Sequence, residues 1–309
     1  MDLSVISPTL LVASLMVAST PLLLAALGEL VVEKAGVLNL GVEGMMIVGA
    51  IGGFAIAVET GSPVAGFVAA AVAGAALASV FGVLTQFLLA NQVATGLATT
   101  LFGLGISSLM GQSYSGIRPP ATPRLDLGPL GDLPFVGRVV FGHDWVVYFS
   151  LLLTFAVWWF LNRSRAGLTL RAVGENHAAA HALGIKVVAI RMAAIAFGGA
   201  CAGLGGAYLS LVRVPQWTEG MTSGAGWIAL AIVVFASWRA GRVLLGAYLF
   251  GGVTVLQLNL QAAGVALPVE YLSMSPYLIT IAVLVLMSAR RRGAAAAPAS
   301  LGQSFHASQ

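Results

Sequence analysis

Apolar positions run through this chain in long blocks, parted by short polar interruptions. The blocks cover residues 8–27, 44–58, 64–90, 93–110, 145–161, 192–212, 225–236, 243–263 and 273–288. A helix needs about 20 mostly apolar residues to cross a bilayer. The pattern therefore predicts an all-α, polytopic transmembrane helical bundle with roughly nine passages. The second block is short, and the polar stretch before it predicts a broken passage near the N-terminus.

That stretch, residues 28–46, reads GELVVEKAGVLNLGVEGMM. Glu29, Glu33, Lys34, Asn39 and Glu43 lie between two apolar runs, and Gly36, Gly41 and Gly44 interrupt any continuous helix. Polar residues and glycines at membrane depth are tolerated where backbone is buried in protein or lines a water-filled cavity. Transporters build substrate pathways from such broken helices. The plainer reading is a loop whose glycines end one helix and start the next.

The longest polar, basic interval in the second half is residues 162–191, NRSRAGLTLRAVGENHAAAHALGIKVVAIR. It carries five cations against Glu175 alone. Such a loop belongs on the inner side of a membrane. Within it, ENHAAAHAL predicts a short helix over 175–183, bounded by Gly174 and Gly184. With this loop inside, alternation places 11 of the 15 cations inside, the N-terminus outside and the C-terminus inside. Residues 111–144, rich in proline and glycine, then form an outer loop. Residues 1–292 make one transmembrane domain, and 293–309, a low-complexity tail, is expected to be disordered on the cytoplasmic side. The first residues lack the basic start of a cleavable signal peptide and read as the lead-in to a retained span.

Composition narrows the class. The chain is 59% hydrophobic and 8% charged, with mean hydropathy +0.95. Soluble domains carry about 25% charged residues, so the bilayer is this chain's solvent. Cys201 is the single cysteine, which excludes an internal disulfide. The cations are scattered and form no nucleic-acid stripe. His177 and His181 share the i, i+4 spacing of some metal sites, but no third ligand accompanies them, so no metal is expected. No phosphate-binding Gly-x-x-x-x-Gly-Lys-Ser/Thr loop occurs, nor a nucleophile elbow or carboxylate dyad. The chain reads as neither an ATPase nor any other enzyme, and no cofactor is expected.

Three stretches, in order, carry a resemblance. AGVLNLGVEGMM, RAVGEN followed by alanines and LGI, and VPQWTEGMTSGAGWIALA resemble bacterial ABC-transporter permeases that serve simple sugars, nucleosides and branched-chain amino acids. The nucleoside-type members look closest. The resemblance implies a permease subunit of an ATP-driven importer in a bacterial cytoplasmic membrane. It implies cytoplasmic ATPase subunits, a second permease subunit (identical or paralogous) and an extracytoplasmic substrate-binding lipoprotein as partners. It implies that Gly174, Glu175, Asn176, Ala179, Ala180 and Gly184 lie at the ATPase contact. It marks Asn39 and Glu43 as candidates for the substrate pathway, nucleosides being preferred and simple sugars second. Many sugar-type relatives have an extra N-terminal span that this chain lacks.

Other pathway candidates come from polar side chains in or beside apolar runs. Gln257 and Gln261 lie one turn apart on one helix face. Thr218 and Glu219 follow helix-breaking Pro215 and suit contact with substrate or a binding protein from outside. Trp217 reads as an interface-belt aromatic. Each amide equally suits a bond to a neighbouring helix, as the pairs Gly49/Gly53 and Gly199/Gly203 suit close helix packing. The rival function is an ion-coupled secondary transporter, for which Glu43 is the candidate coupling group.

Overall fold

The computed structural model describes residues 8–125, 128, 141–262 and 297–306, with isolated positions 274, 278, 281, 282 and 285. Ten α-helices follow in order. They are α1 (Pro8–Lys34), α2 (Val42–Thr60), α3 (Pro63–Gln86), α4 (Gln92–Gly111), α5 (Trp145–Arg163), α6 (Arg165–Glu175), α7 (His177–Ala182), α8 (Val187–Tyr208), α9 (Ala225–Phe235) and α10 (Ala240–Ala262). Among the described residues there is no strand beyond two isolated bridges. Seven helical stretches are long and apolar enough to cross a membrane, and α9 is a shorter apolar helix. The polytopic helical bundle stands on this. The expected run 273–288 lies outside the continuously described residues, so seven spans and α9 are what the structure supplies of the nine.

The bundle centres on α1, α2, α3 and α8. Between helices already solvated by lipid there is no hydrophobic drive to associate, so close backbone approach has to supply the attraction. The glycines provide it. A Cβ on Gly49 would fall 2.2 Å from Gly203 Cα, and one on Gly74 would fall 2.1 Å from the Gly199 carbonyl. Both small-residue pairs in the sequence thus lie at helix contacts. α9, α10 and α5 flank α1, and α4 flanks α2. α4 buries a polar stripe, Gln92, Thr95, Thr99, Thr100 and Ser107, and exposes Val93, Leu97, Leu101 and Leu109. That inversion is what a membrane helix shows when its outer face meets lipid or apolar protein.

Short side-chain caps fix the ends. Asn91 Oδ1 accepts the Ala94 amide at 3.0 Å and starts α4. Asp144 Oδ1 takes the Val146 and Val147 amides at 3.0 and 3.2 Å and starts α5, while its Oδ2 accepts from Tyr208 Oη at 2.9 Å. α8 runs into a π-helical turn, Leu209–Arg213, where Ser210 Oγ donates to the Ala50 carbonyl at 2.9 Å.

Two sequence expectations change. Residues 28–34 are not part of an interrupted segment: α1 continues to Lys34, and Glu29 and Glu33 are each 1% exposed inside it. Gly28 is the one glycine in these seven residues and stays helical where it packs on Gly198 and Cys201 of α8, and the glutamates share one face at i, i+4. Within the tail expected to be disordered, residues 297–306 are seated on the bundle. The Ser300 amide donates to the Gly174 carbonyl at 2.9 Å, and Phe305 is buried.

Candidate functional site

Two regions gather the sequence candidates. The first is the α6–α7 corner. Ser164 Oγ accepts the Gly167 amide at 2.9 Å and caps α6; Asn176 Oδ1 accepts the Ala179 amide at 2.9 Å and caps α7. Asn176 also breaks the two helices apart, with φ −152° and ψ 93°. Gly184 closes α7 with φ +80° and open space around it.

The implied contact residues divide by burial. Glu175, Asn176, Ala179 and Gly184 are exposed, whereas Gly174 and Ala180 are buried. A Cβ on Gly174 would fall 2.1 Å from the Lys34 carbonyl, so this glycine lets α6 lie against the end of α1. Ala180 packs with Val173, Val187 and Phe305. Those two residues seat α7, and the other four face outward. Leu183, 81% exposed at the end of α7, joins the outward face. The sequence signal for it was an apolar side chain where a solvated helix would carry a polar one.

His177 and His181 both set their rings edge-on to Phe305, with centroids 5.4 and 5.2 Å away. Among the described residues no group of three potential ligands could hold a metal. Arg191, fully buried at the start of α8, donates to the Ala35 carbonyl at 3.2 Å and contacts His177 Nδ1 at 3.2 Å. His177 is held below the ordinary histidine pKa by burial first, then by the Arg191 charge and by His306.

The second region is the turn between α1 and α2, residues 35–41. Asn39 is fully buried; its Oδ1 accepts the Gly41 amide at 2.9 Å and its Nδ2 meets Met45 Sδ at 3.4 Å. Helix α4 walls the turn: Gln92 Oε1 accepts the Leu38 amide at 2.8 Å, and Thr100 Oγ1 donates to the Leu40 carbonyl at 3.1 Å. Glu43 is 3% exposed, and both its oxygens are engaged. Oε1 accepts from Thr222 Oγ1 at 2.5 Å and from the Gly224 amide at 2.9 Å; Oε2 accepts the Gly226 amide at 2.7 Å. Gly224 gives α9 no side-chain cap of its own, so a carboxylate from α2 caps it, charge and dipole agreeing. Two of the three sequence stretches that carry the resemblance therefore meet at this bond.

Glu29, missed as a buried group by sequence reasoning, lies beside Asn39 and Glu33 inside the bundle. Glu33 accepts a hydrogen bond from Trp238 Nε1. Trp238 and Ser237 hold φ +54° and +50° in the turn before α10.

The remaining candidates are not brought to Asn39 and Glu43. Gln257 and Gln261 are half-buried on the far part of α10, beyond Gly251, whose backbone meets Ser19 of α1. Thr218 and Glu219 are exposed at the end of the bundle opposite α7, where Ser108 Oγ donates to Glu219 Oε1 at 2.6 Å. Trp217 is 5% exposed and packs on Gly111, which corrects the interface-belt reading. At this same end a cavity of about 1190 Å³ opens among α1, α10 and the loops, lined by Ser14, Arg118, Arg124, His143, Arg213 and Gln216 among others.

No solved structure matches the chain. "Putative glucose ABC transporter permease protein TsgC13" of Haloferax volcanii is 42% identical over 94% of this chain and 95% of its own length. The guanosine ABC transporter permease protein NupQ of Bacillus subtilis is 31% identical over 89% and 91%, and the nucleoside ABC transporter permease protein NupC of Lactococcus lactis is 29% identical over 96% of each. Residues 11–284 match the family described as branched-chain amino acid transport system / permease component, and the chain belongs to this family of ABC-transporter permease subunits.

Proposed function

We propose that this chain is the membrane-spanning subunit of an ATP-driven importer of nucleosides, with α7 as the contact through which a cytoplasmic ATPase drives it. Membership of the permease family makes it a multi-pass membrane protein that works with ABC ATPase and substrate-binding partners, and sets the ion-coupled rival aside. The observation that carries the role of α7 is its mounting. The α6–α7 corner presents Glu175, Asn176, Ala179, Leu183 and Gly184 outward, while Gly174 of α6 and Ala180 of α7 fix it to the ends of α1 and α8.

Orientation follows from charge. Lys34, Arg171 and Arg239 gather at the end that bears α7, which suits the cytoplasmic face. The 297–306 segment sits at that same end, while α1 begins at the other. This supports an outer N-terminus and an inner C-terminus. The opposite end, with its cavity and with exposed Thr218 and Glu219, then faces the binding protein. A second permease subunit completes the pathway, and the exposed apolar face of α4 suits either that subunit or lipid. ATP closure moves access by differential contacts with two states of the bundle.

Nucleosides are preferred from the sequence stretches and from the two relatives named for guanosine and nucleosides. The second reading, a simple sugar, is favoured by the 42% relative named for glucose. The test is uptake into proteoliposomes holding this chain, its ATPase and its binding protein. ATP-dependent accumulation of labelled guanosine without glucose supports the first reading; the reverse supports the second. Uptake of either without ATP overturns the ATP-driven reading.

A further inference from the structure

The segment Pro298 to Phe305 belongs to none of the roles above. It lies on the seam between the α6–α7 corner and the turn after α1, and it bonds to both sides. Toward the corner, the Ser300 amide donates to the Gly174 carbonyl at 2.9 Å; Ser300 Oγ donates to the Glu175 carbonyl at 3.3 Å and accepts the His177 amide at 3.4 Å. Toward the turn, the Gly302 amide donates to the Gly36 carbonyl at 3.3 Å. The Gln303 carbonyl accepts from Arg191 Nη1 at 3.0 Å and from Gln92 Nε2 at 3.5 Å. Gln92 in turn holds the Leu38 amide.

Arg191 joins the three parts. Its guanidinium is fully buried and pairs with no carboxylate among the described residues; it donates to Ala35 in the turn and Gln303 in the segment, and contacts His177 in α7. A buried guanidinium needs these acceptors, since leaving its N–H groups unpaired is costly. The segment's Gln303 carbonyl is one of the three. Phe305 then closes a small apolar cluster with Val173, Ala180 and Val187, the same residues that seat α7. Without the segment, α7, a six-residue helix, would rest on the bundle through Ala180 and the Arg191–His177 contact. Helices this short are not stable alone.

We propose that residues 298–305 form a strap that positions α7 against the turn after α1. A displacement of α7 is then delivered to residues 35–41, and through Glu43 to α9, and is not absorbed in the α6–α8 loops. Ser300, Gln303, Phe305 and Arg191 are positioning residues in this account. The consequence for transport rests on the reading of α7 as the ATPase contact; the clasp itself does not.

The experiment compares the full chain, a chain ending at Ala297, and Phe305→Ala. Amide hydrogen exchange is read on each purified permease, with α2 and α3 as the internal control for folding. The expected result is exchange in residues 176–185 faster by about tenfold or more on truncation, less on Phe305→Ala, with α2 and α3 unchanged. Adding a peptide of residues 297–309 to the truncated chain restores protection. Unchanged exchange at 176–185 overturns the strap. If truncation prevents folding, Phe305→Ala carries the same comparison.

The second reading is the number of solutes imported per ATP hydrolysed by the assembled transporter. A strap that transmits motion predicts that this ratio falls severalfold in both variants while ATP hydrolysis persists, and that Phe305→Tyr restores it. An unchanged ratio overturns transmission. If the wild-type assembly shows no ATP-dependent uptake, the functional reading fails, and exchange alone decides the strap.

Discussion

Glu43 Oε2 accepts the Gly226 amide at 2.7 Å, across 183 residues of sequence. The contact has no room for change: a Cβ on Gly226 would fall 2.5 Å from both the amide nitrogen and Cα of Glu43. Glu43→Ala leaves three buried donors, the Thr222 hydroxyl and the Gly224 and Gly226 amides, without an acceptor. The expected cost is about 3 kcal/mol or more. Glu43→Gln keeps one acceptor oxygen and costs less, about 1–2 kcal/mol. Gly226→Ala forces α2 and α9 apart and ranks with Glu43→Ala. Thermal unfolding read by exposure of the buried Cys201 thiol checks the order. Equal stability of Glu43→Ala and wild type would remove the cap from the account.

Packing in the centre of the bundle makes a second prediction. Gly203 sits where a Cβ would lie 2.1 Å from the Ala70 carbonyl, and Gly49 where it would lie 2.2 Å from Gly203 Cα. These clashes are with backbone, which cannot rotate away. Gly203→Val and Gly49→Val are each expected to lower the unfolding temperature in detergent steeply, by several degrees or more. Gly105→Val, where the glycine faces open space, is the control and is expected to shift it little. A control as damaging as the other two would show that helix propensity, not helix approach, sets the loss.

The contrast between these sites shows how much of the molecule can be read from the chain. Helix positions follow from the long apolar blocks, because lipid leaves the backbone no alternative to internal hydrogen bonding. The end of the short helix was legible from Gly184, but its start was not: Gly174 and Glu175 belong to α6, and it is Asn176, not the glycine, that parts the two helices. Glu29 and Glu33 were read as part of an interrupted segment because charged residues rarely sit in a span; their burial in α1 depends on neighbours, Trp238 and Asn39, distant in sequence. Glu43 was picked out as a pathway candidate by the resemblance, but its three donors lie in another stretch. The 297–306 segment has the composition of a disordered tail, and only the carbonyls and apolar seat of the α6–α7 corner give it order.

The outward face of α7 gives a third prediction. Glu175 is exposed, and Gly184 has φ +80° with open space where a Cβ would stand. The double variant Glu175→Arg plus Gly184→Trp reverses a charge and adds bulk on the surface proposed to meet the ATPase. Loss of co-purification with the ATPase is expected, with the permease still monodisperse. Tryptophan at a left-handed position adds about 1 kcal/mol of local strain, so Gly184→Ala alone serves to separate strain from obstruction. Retained binding by the double variant would take the ATPase contact away from this face.

The last prediction concerns pH. His177 Nδ1 faces Arg191 Nη2 at 3.2 Å, so the bond needs an unprotonated Nδ1. Burial, Arg191 and His306 all lower the affinity of His177 for a proton in the docked arrangement. When the strap and α7 lift away, His177 returns toward the ordinary value of about 6.5. The released form therefore binds more protons than the docked form as pH falls below about 6.5. Docking is at full strength above that pH, weakens as pH falls through it, and stops weakening below the lowered docked value. His181 and His306 are the other histidines beside this contact. The check is labelling of a cysteine placed at Ala180, beneath Phe305, in a Cys201→Ala background. After correction for thiolate fraction, labelling is expected to be slow at pH 7.5 and faster at about pH 5.5, and His177→Gln is expected to flatten most of that difference. A pH response that persists unchanged in His177→Gln would leave the Arg191–His177 contact as packing alone.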